Sequence, residues 1–248
     1  RRGREAGTIR PMTSHHDSGP VLVTGVAGFI GSHTAERLLA RGHKVIGIDN
    51  LDPYYDLALK RRNLDDLRRT GRDHFDFIEA DISDAGAVRR TFERAKIRGV
   101  IHLAAKAGVR PSIEDPVGYA RANVLGTSVM LDESRRAGCD RIVVASSSSV
   151  YGNSPTAPFS ETQDVNEPIS PYAATKRACE IIGHAHWHLT KMPTAMLRFF
   201  TVFGPRQRPD LAIQMFLSKV SKGERIVMFG DGTSSRDYTF VDDIVTGV

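Results

Sequence analysis

An α/β fold built on a parallel sheet is predicted by three features of this 248-residue chain. From Val21 to Phe200, short β-branched runs alternate with segments of helical apolar spacing, the pattern of strand–helix–strand crossovers. The first strand runs into Gly25, Gly28 and Gly31 and then into a helix. The second strand ends on an acidic residue, Asp49. Together these predict a Rossmann-type, doubly wound parallel sheet, and the segment after it, which leaves the pattern, is expected to form a smaller C-terminal substrate lobe. The expected division is a disordered leader over 1–19, a dinucleotide-binding domain over 20–203 and part of the substrate lobe over 204–248.

Composition narrows the class. Hydrophobic residues make up 40% and charged residues 25%, ordinary for a globular protein. The first eleven residues hold four arginines and one glutamate, so the net charge of +5 falls to +2 without them. That is no basis for nucleic-acid binding. No apolar run is long enough to span a bilayer, and the N-terminus lacks the apolar core of a signal peptide. No membrane association is expected. Met12 is a candidate start. Cys139 and Cys179 do not make a disulfide framework, so a reducing, cytoplasmic compartment is the default.

Each element has a local reason. Val21-Leu22-Val23 is a buried-strand run, and Ile30, Ala35, Leu38 and Leu39 keep one face of the helix after the glycines. A glycine at the strand end permits a tight turn, a second lets backbone approach a pyrophosphate, and a third lets the helix pack on the strand. The helix N-terminus then offers N–H groups to phosphate. The spacing is G-x-x-G-x-x-G, one residue longer than the common dinucleotide fingerprint. Val45 to Asp49 is the second strand. A carboxylate at its end suits ribose hydroxyls and repels a 2′-phosphate, which favours NAD over NADP; the plain alternative is a turn aspartate.

Residues 51–70 read as a loop and an amphipathic helix whose Lys60, Arg61, Arg62, Arg68 and Arg69 form a solvated face. Phe75 to Ala80 is the third strand, leading to Asp81-Ile82. A helix over 84–96 is capped by Ser83 or Asp84. Gly99 to Leu103 is the fourth strand, followed by the small residues Ala104, Ala105, Ala107 and Gly108. Asp115-Pro116 opens a long helix that Gly138 ends. Arg141 to Ala145 is the fifth strand and runs into four serines, Ser146 to Ser149. Ser170-Pro171 caps another helix, and Met196 to Phe200 is the sixth strand. Residues 204–236 leave the pattern, with a helix near 211–222 and a strand at 225–229. His184 and His188 share a helix face but His186 points away, so no metal site is expected. Both cysteines are expected to be inert.

Tyr172 and Lys176 stand four apart, one turn apart on one helix face. A free tyrosine titrates near about 10, and a neighbouring ammonium favours its phenolate as a general base. After a glycine turn, an acidic strand end and a serine cluster, this pair resembles the catalytic pair of the extended short-chain dehydrogenase/reductases, the NAD-dependent epimerase/dehydratase family. The most similar branch is the UDP-glucuronate 4-epimerases. Carrying the resemblance are Tyr54-Tyr55-Asp56 within Asn50 to Asn63, Ala104 to Ser112, Ser146 to Gly152, Arg198 to Pro205, Arg208-Pro209-Asp210 and Arg236 to Asp243.

The resemblance implies NAD held by Gly25, Gly28, Phe29, Ile30, Gly31, Asp49, Asn50, Asp81, Ile82, Leu103, Ala104, Ala105, Lys106, Asn123, Ser146, Tyr172 and Lys176. It implies catalysis by Tyr172, Lys176 and Ser147. It places a UDP-sugar on Ser147, Ser148, Ser149, Thr201, Arg208, Arg236 and Arg110, in an enzyme that forms a homodimer. The implied reaction is oxidation at C4, rotation of the 4-keto sugar about its phosphate link and reduction from the opposite face. Gly204-Pro205-Arg206-Gln207-Arg208 departs from the commoner G-P-x-G-R, and family members continue beyond Val248, so a fragment is expected. Rival readings are a UDP-glucose or UDP-N-acetylglucosamine 4-epimerase, a 4,6-dehydratase or UDP-glucuronate decarboxylase, and a non-catalytic NAD-binding regulator.

Overall fold

The computed structural model describes residues 19–227, 231 and 235–248. The expected leader therefore lies almost wholly outside the described residues. Six strands form one parallel sheet: β1 (Val21–Thr24), β2 (Val45–Asp49), β3 (Phe75–Glu79), β4 (Gly99–His102), β5 (Arg141–Ser147) and β6 (Thr194–Phe199). Their order is 3-2-1-4-5-6, the doubly wound order. Helices α1 (Phe29–Ala40), α2 (Leu57–Gly71), α3 (Ala85–Glu93), α4 (Val109–Glu114), α5 (Pro116–Tyr119), α6 (Gly126–Arg136) and α7 (Pro171–Thr190) connect them.

Alternation along the buried strands builds both faces. Leu22 packs with Ile46, Val100 and Ile142 under Val88, Phe92, Met130 and Leu131 of α3 and α6. Its neighbour Val23 points the other way, to Ala35 and Leu39 of α1 and Leu64 and Leu67 of α2. A second, two-stranded sheet pairs β7 (Thr201–Phe203) with β8 (Tyr238–Phe240). Val202, together with Val241 and Val245 of α9 (Val241–Gly247), packs on Phe29 at the start of α1. The remaining helix, α8 (Ala212–Ser221), has no buried residue.

Several expected boundaries move. The helix opened by Asp115 is α5, then a π-helical segment at Ala120–Leu125, then α6. The widened segment contains Asn123, whose buried side chain bonds the Lys106 backbone and Thr175. Helix α4 is a further element, starting at Gly108 with φ +120. β5 runs two residues further than expected, and Ser148–Tyr151 is a 3-10 turn. β6 stops at Phe199, so Phe200 falls between it and β7. Residues 225–227 are not in a strand, and the rest of that expected strand lies outside the described residues.

The glycine turn sets the entry to α1. Gly25 takes φ +69, and a Cβ there would meet the Ala104 nitrogen at 2.9 Å. A Cβ on Gly31 would lie 2.0 Å from the Gly25 carbonyl oxygen, so helix and turn touch through backbone. Gly31→Ala forces them apart, an overpacking cost of about 1–3 kcal/mol. The expected result is a fall in melting temperature of about 2–4 °C per kcal/mol, read by calorimetry. An unchanged melting temperature would show that α1 shifts freely.

Candidate active site

A cleft of about 890 Å³ opens at the carboxyl ends of β1 and β4, strands whose connections leave in opposite directions. This is the switch point where doubly wound sheets bind ligands. Its floor at one end is the glycine turn. Gly28 caps α1 with no side chain, and no acidic residue stands in the first turn, so the N–H end of the helix faces the cleft.

Asp49 is buried at the end of β2. It accepts from the N–H groups of Ala27 at 3.2 Å and Leu51 at 2.9 Å. Lys60 stands 3.4 Å away and lies over the Tyr55 ring. Lys60 is 7% exposed and lines the cleft, which corrects its reading as part of a solvated face. It falls in phase with Leu64, Leu67 and Gly71, on the buried side of α2. Asn50 donates to Asp81, whose other oxygen takes the N–H and hydroxyl of Ser83. Burial alone would raise the Asp81 carboxyl, but these bonds outweigh it and hold it below the usual range.

At the other end, Ser147, Ser148, Ser149, Tyr172, Lys176, Thr201 and Arg208 line one wall. Ser170 caps α7 by accepting from the Ala173 N–H, and Ser112 anchors the Tyr172 N–H at 3.1 Å. Lys176, 4% exposed, donates to the Ala145 carbonyl at 2.9 Å. The Ser147 hydroxyl accepts from the Ser149 N–H. Three other tyrosines line the cleft, Tyr54, Tyr55 and Tyr119. Burial, with Asp49 nearby, pushes Tyr55 up to about 12. Burial likewise pushes Tyr119 up to about 12, and its hydroxyl donates to the Ala107 carbonyl. Tyr55 and Tyr119 stay protonated at neutral pH.

Beneath this wall lies Glu180, one turn beyond Lys176. It accepts from Ser146 at 2.6 Å and from the Arg198 Nε and Nη2, each at 2.9 Å. Burial would raise this carboxyl, but Arg198 and Ser146 hold it below the usual range. The Ser146 hydroxyl is thus committed to Glu180. Under β1 and β4, His102 bridges Thr24 at 2.7 Å and Thr127 at 3.2 Å. Burial, with Lys176 adding to it, pushes its imidazole down to about 3, so it is neutral.

Of the residues expected in the site, three do not line the cleft. Asn123 is turned to the Lys106 backbone and Thr175. Arg110 is exposed, and so is Arg236, which donates to the Ser235 carbonyl. Lys106 lines the cleft, but its ammonium pairs with Asp115 at 2.8 Å. No site role for Lys60, Tyr119 or Glu180 is read from the sequence. Only Lys60 carried a local signal, its phase on the helix. Among the described residues there is no cluster of His, Cys, Asp and Glu able to hold a metal. His184 and His188 are exposed. Both cysteines are buried and free, and burial pushes the Cys139 thiol up to about 11.

A model of the NAD dependent epimerase/dehydratase family matches residues 21–248. A probable UDP-glucuronate 4-epimerase of Rhizobium meliloti (strain 1021) is 43% identical over 227 residues, covering 92% of this chain and 66% of its own length. A UDP-glucuronate 4-epimerase of Thermodesulfobacterium geofontis (strain OPF15) is 44% identical over 230 residues, with 92% and 70% covered. The chain therefore spans about two thirds of the length of these relatives. The crystal structure of UDP-glucuronic acid 4-epimerase from Bacillus cereus, in complex with UDP-glucuronic acid and NAD, superposes with a TM-score of 0.85 at 36% identity. The match covers 92% of this chain and 71% of that one.

Removing one partner of a buried ion pair strands the other. Glu180→Ala is expected to cost about 3–5 kcal/mol in urea unfolding at neutral pH. The folded carboxyl titrates below its unfolded value, so its contribution is present at neutral pH and lost as pH falls through the folded value. The stability gap between wild type and Glu180→Gln should therefore shrink in acid. A gap that does not change with pH would mean Glu180 is not ionised in the folded protein.

Proposed function

The chain belongs to the NAD dependent epimerase/dehydratase family, and from that premise we propose that it is a 4-epimerase converting UDP-glucuronate to UDP-galacturonate through a transient 4-keto sugar. The observation that carries this is one continuous cleft. It joins the glycine turn and Asp49 to Tyr172, Lys176 and the hydroxyls of Ser147, Ser148, Ser149 and Thr201.

The cofactor end fits NAD. The uncapped first turn of α1 suits a pyrophosphate, and a Cβ on Gly28 would lie 3.1 Å from the Gly25 oxygen. Asp49 suits ribose hydroxyls and disfavours a 2′-phosphate. When bound, NAD supplies the hydride acceptor and donor for C4 of the sugar.

This chain's residues supply placement and proton transfer. Tyr172 is the base for the C4 hydroxyl. Lys176, fixed on the Ala145 carbonyl, stands one turn away on the same face of α7. Ser147 binds the same oxygen. The 4-keto sugar derived from UDP-glucuronate is a β-keto acid. It loses CO₂ fastest when the C5–carboxylate bond stands perpendicular to the carbonyl plane. Hydroxyls of Ser148, Ser149 and Thr201 hold the carboxylate away from that orientation through charge-assisted hydrogen bonds. The residue after Ser147 is a serine, and a glutamate there would repel the substrate.

For the assembly we propose a homodimer. Ile181 and Leu189, two turns apart on α7, are 55% and 81% exposed, and a second copy is the partner proposed for that face. No helix among the described residues is long and apolar enough to cross a membrane. The free cysteines support a reducing, cytoplasmic setting.

Two measurements test these readings. Given UDP-glucuronate and followed by NMR, the full-length protein should yield UDP-galacturonate, and Tyr172→Phe should retain NAD but lose at least about 10²-fold in turnover. Ser148→Ala or Thr201→Ala should raise the decarboxylated fraction. UDP-xylose as the main product, or near wild-type turnover by Tyr172→Phe, would sink the assignment. Sedimentation equilibrium should give a dimer that Leu189→Glu weakens; a fully active monomer would refute the assembly.

A further inference from the structure

We propose that Tyr119 is a positioning residue for Tyr172, one jaw of a two-point clamp whose other jaw is Ser112. This rests on the reading above, in which Tyr172 is the base for the C4 hydroxyl of a UDP-sugar.

Tyr172 is the second residue of α7, so no earlier turn of helix lies beneath its side chain. Its backbone is fixed by other means. The N–H donates to Ser112 Oγ at 3.1 Å, and Ser112 donates in turn to the Val109 carbonyl at 2.6 Å. The Tyr172 carbonyl accepts from Thr175 at 2.8 Å, and Thr175 accepts from the buried Asn123 at 2.9 Å. The ring is held separately. Its centroid lies 6.2 Å from that of Tyr119, with the two planes at 83°. This is an edge-to-face contact within the preferred range of about 4.5–7 Å.

A ring can hold another ring only if it is immobile itself. Tyr119 is 2% exposed, and its hydroxyl donates to the Ala107 carbonyl at 3.0 Å. Four residues on, Asn123 brackets the preceding residue, accepting from the Lys106 N–H at 2.8 Å and donating to the Lys106 carbonyl at 3.0 Å. The chain from Lys106 to Ser112 is therefore tied at one end to the segment carrying Tyr119 and at the other to the Tyr172 backbone. Burial, then its neighbours Tyr54, Tyr172 and Asp115, push the Tyr119 phenol up to about 12 against the opposing effect of Arg208. Tyr119 keeps its proton, and with it the bond to Ala107, while Tyr172 takes and returns one.

A general base acts within a heavy-atom reach of about 2.6–3.2 Å, and a misplacement of about 1 Å can cost about 10²-fold in rate. Epimerisation uses the same base twice. Tyr172 takes the proton from the C4 hydroxyl and gives it back to the C4 oxygen after the sugar has turned. The sugar must move between these events and the base must not. Holding Tyr172 by both its backbone N–H and its ring meets that requirement.

Tyr119→Leu removes the ring, and Tyr119→Phe keeps it. In the full-length protein with NAD, Tyr119→Leu should lower kcat on UDP-glucuronate by about tenfold or more. NAD content, and UDP affinity by calorimetry, should not change. Tyr119→Phe should recover most of the lost turnover. A double-mutant cycle separates positioning from a general loss of structure. In a Tyr172→Phe background, Tyr119→Leu should change the residual turnover by less than about twofold, because no base is left to hold. A further full loss in that background would overturn the proposal. So would wild-type kcat in Tyr119→Leu, a Tyr119→Phe variant as slow as Tyr119→Leu, or a loss of turnover that tracks a loss of NAD or UDP. Ser112→Ala, at the other jaw, should show the same lack of additivity with Tyr172→Phe, and decides the matter if Tyr119→Leu does not fold. A wild type that converts a different UDP-sugar overturns the substrate reading alone, and the same cycle is then run on that sugar. A wild type that converts none overturns both.

Discussion

One buried carboxylate holds together the elements that carry the candidate chemistry. Glu180 sits on α7, one turn from Lys176; Arg177 of the same helix pairs with it, and its other partners are Ser146 from the end of β5 and Arg198 from β6. A charge this buried is tolerable only when fully paired, and breaking any partner exposes the cost. The position of Tyr172 and Lys176 relative to Ser147 is therefore set inside the core and not by a surface loop. His102 performs the corresponding task between β1, β4 and α6, as a neutral imidazole linking two threonines. Both ties have fixed protonation states across neutral pH. The frame around the cleft does not titrate when the chemistry within it moves a proton.

Legibility in the sequence follows range. The glycine turn, Asp49 and the Tyr172–Lys176 spacing are short-range patterns, and the structure brings all of them to the cleft. The caps act on N–H groups two or three residues away: Asp115 and Ser170 stand where the sequence predicts them, and of the two candidates Ser83 and Asp84 it is Asp84 that caps. What was hidden depends on partners far along the chain. Glu180 reads as an ordinary helix glutamate until Ser146 and Arg198 are beside it. The pairing of β7 with β8 joins segments more than thirty residues apart and has no local signal. The π-helical segment around Asn123 keeps helical composition, so periodicity passes over it. Lys60 lies between these cases: its composition says solvent, while its phase with Leu64 and Leu67 says core.

The departure at Gly204 to Arg208 shows how a loop is rebuilt from different residues. Arg206 takes φ +64, which costs a non-glycine residue about 1–2 kcal/mol. Its guanidinium is then placed on Glu36 at 2.7 Å and Asp66 at 3.4 Å, and near Ser32 at 3.4 Å. Gln207 is buried and donates to the Val202 carbonyl, filling a place that a glycine would leave empty. His33 reaches the Pro205 carbonyl at 2.9 Å. Ser32, His33 and Glu36 all belong to α1, the helix whose first turn faces the cofactor end of the cleft. The loop that carries Arg208 is therefore anchored to the same helix that offers its N–H groups to a pyrophosphate. The half-buried ion pairs, with side chains 22% and 29% exposed for Arg206 and Glu36, are stronger than surface pairs and less screened by salt. A displacement of α1 would carry the Arg208 loop with it, so the two ends of the cleft share one mechanical support.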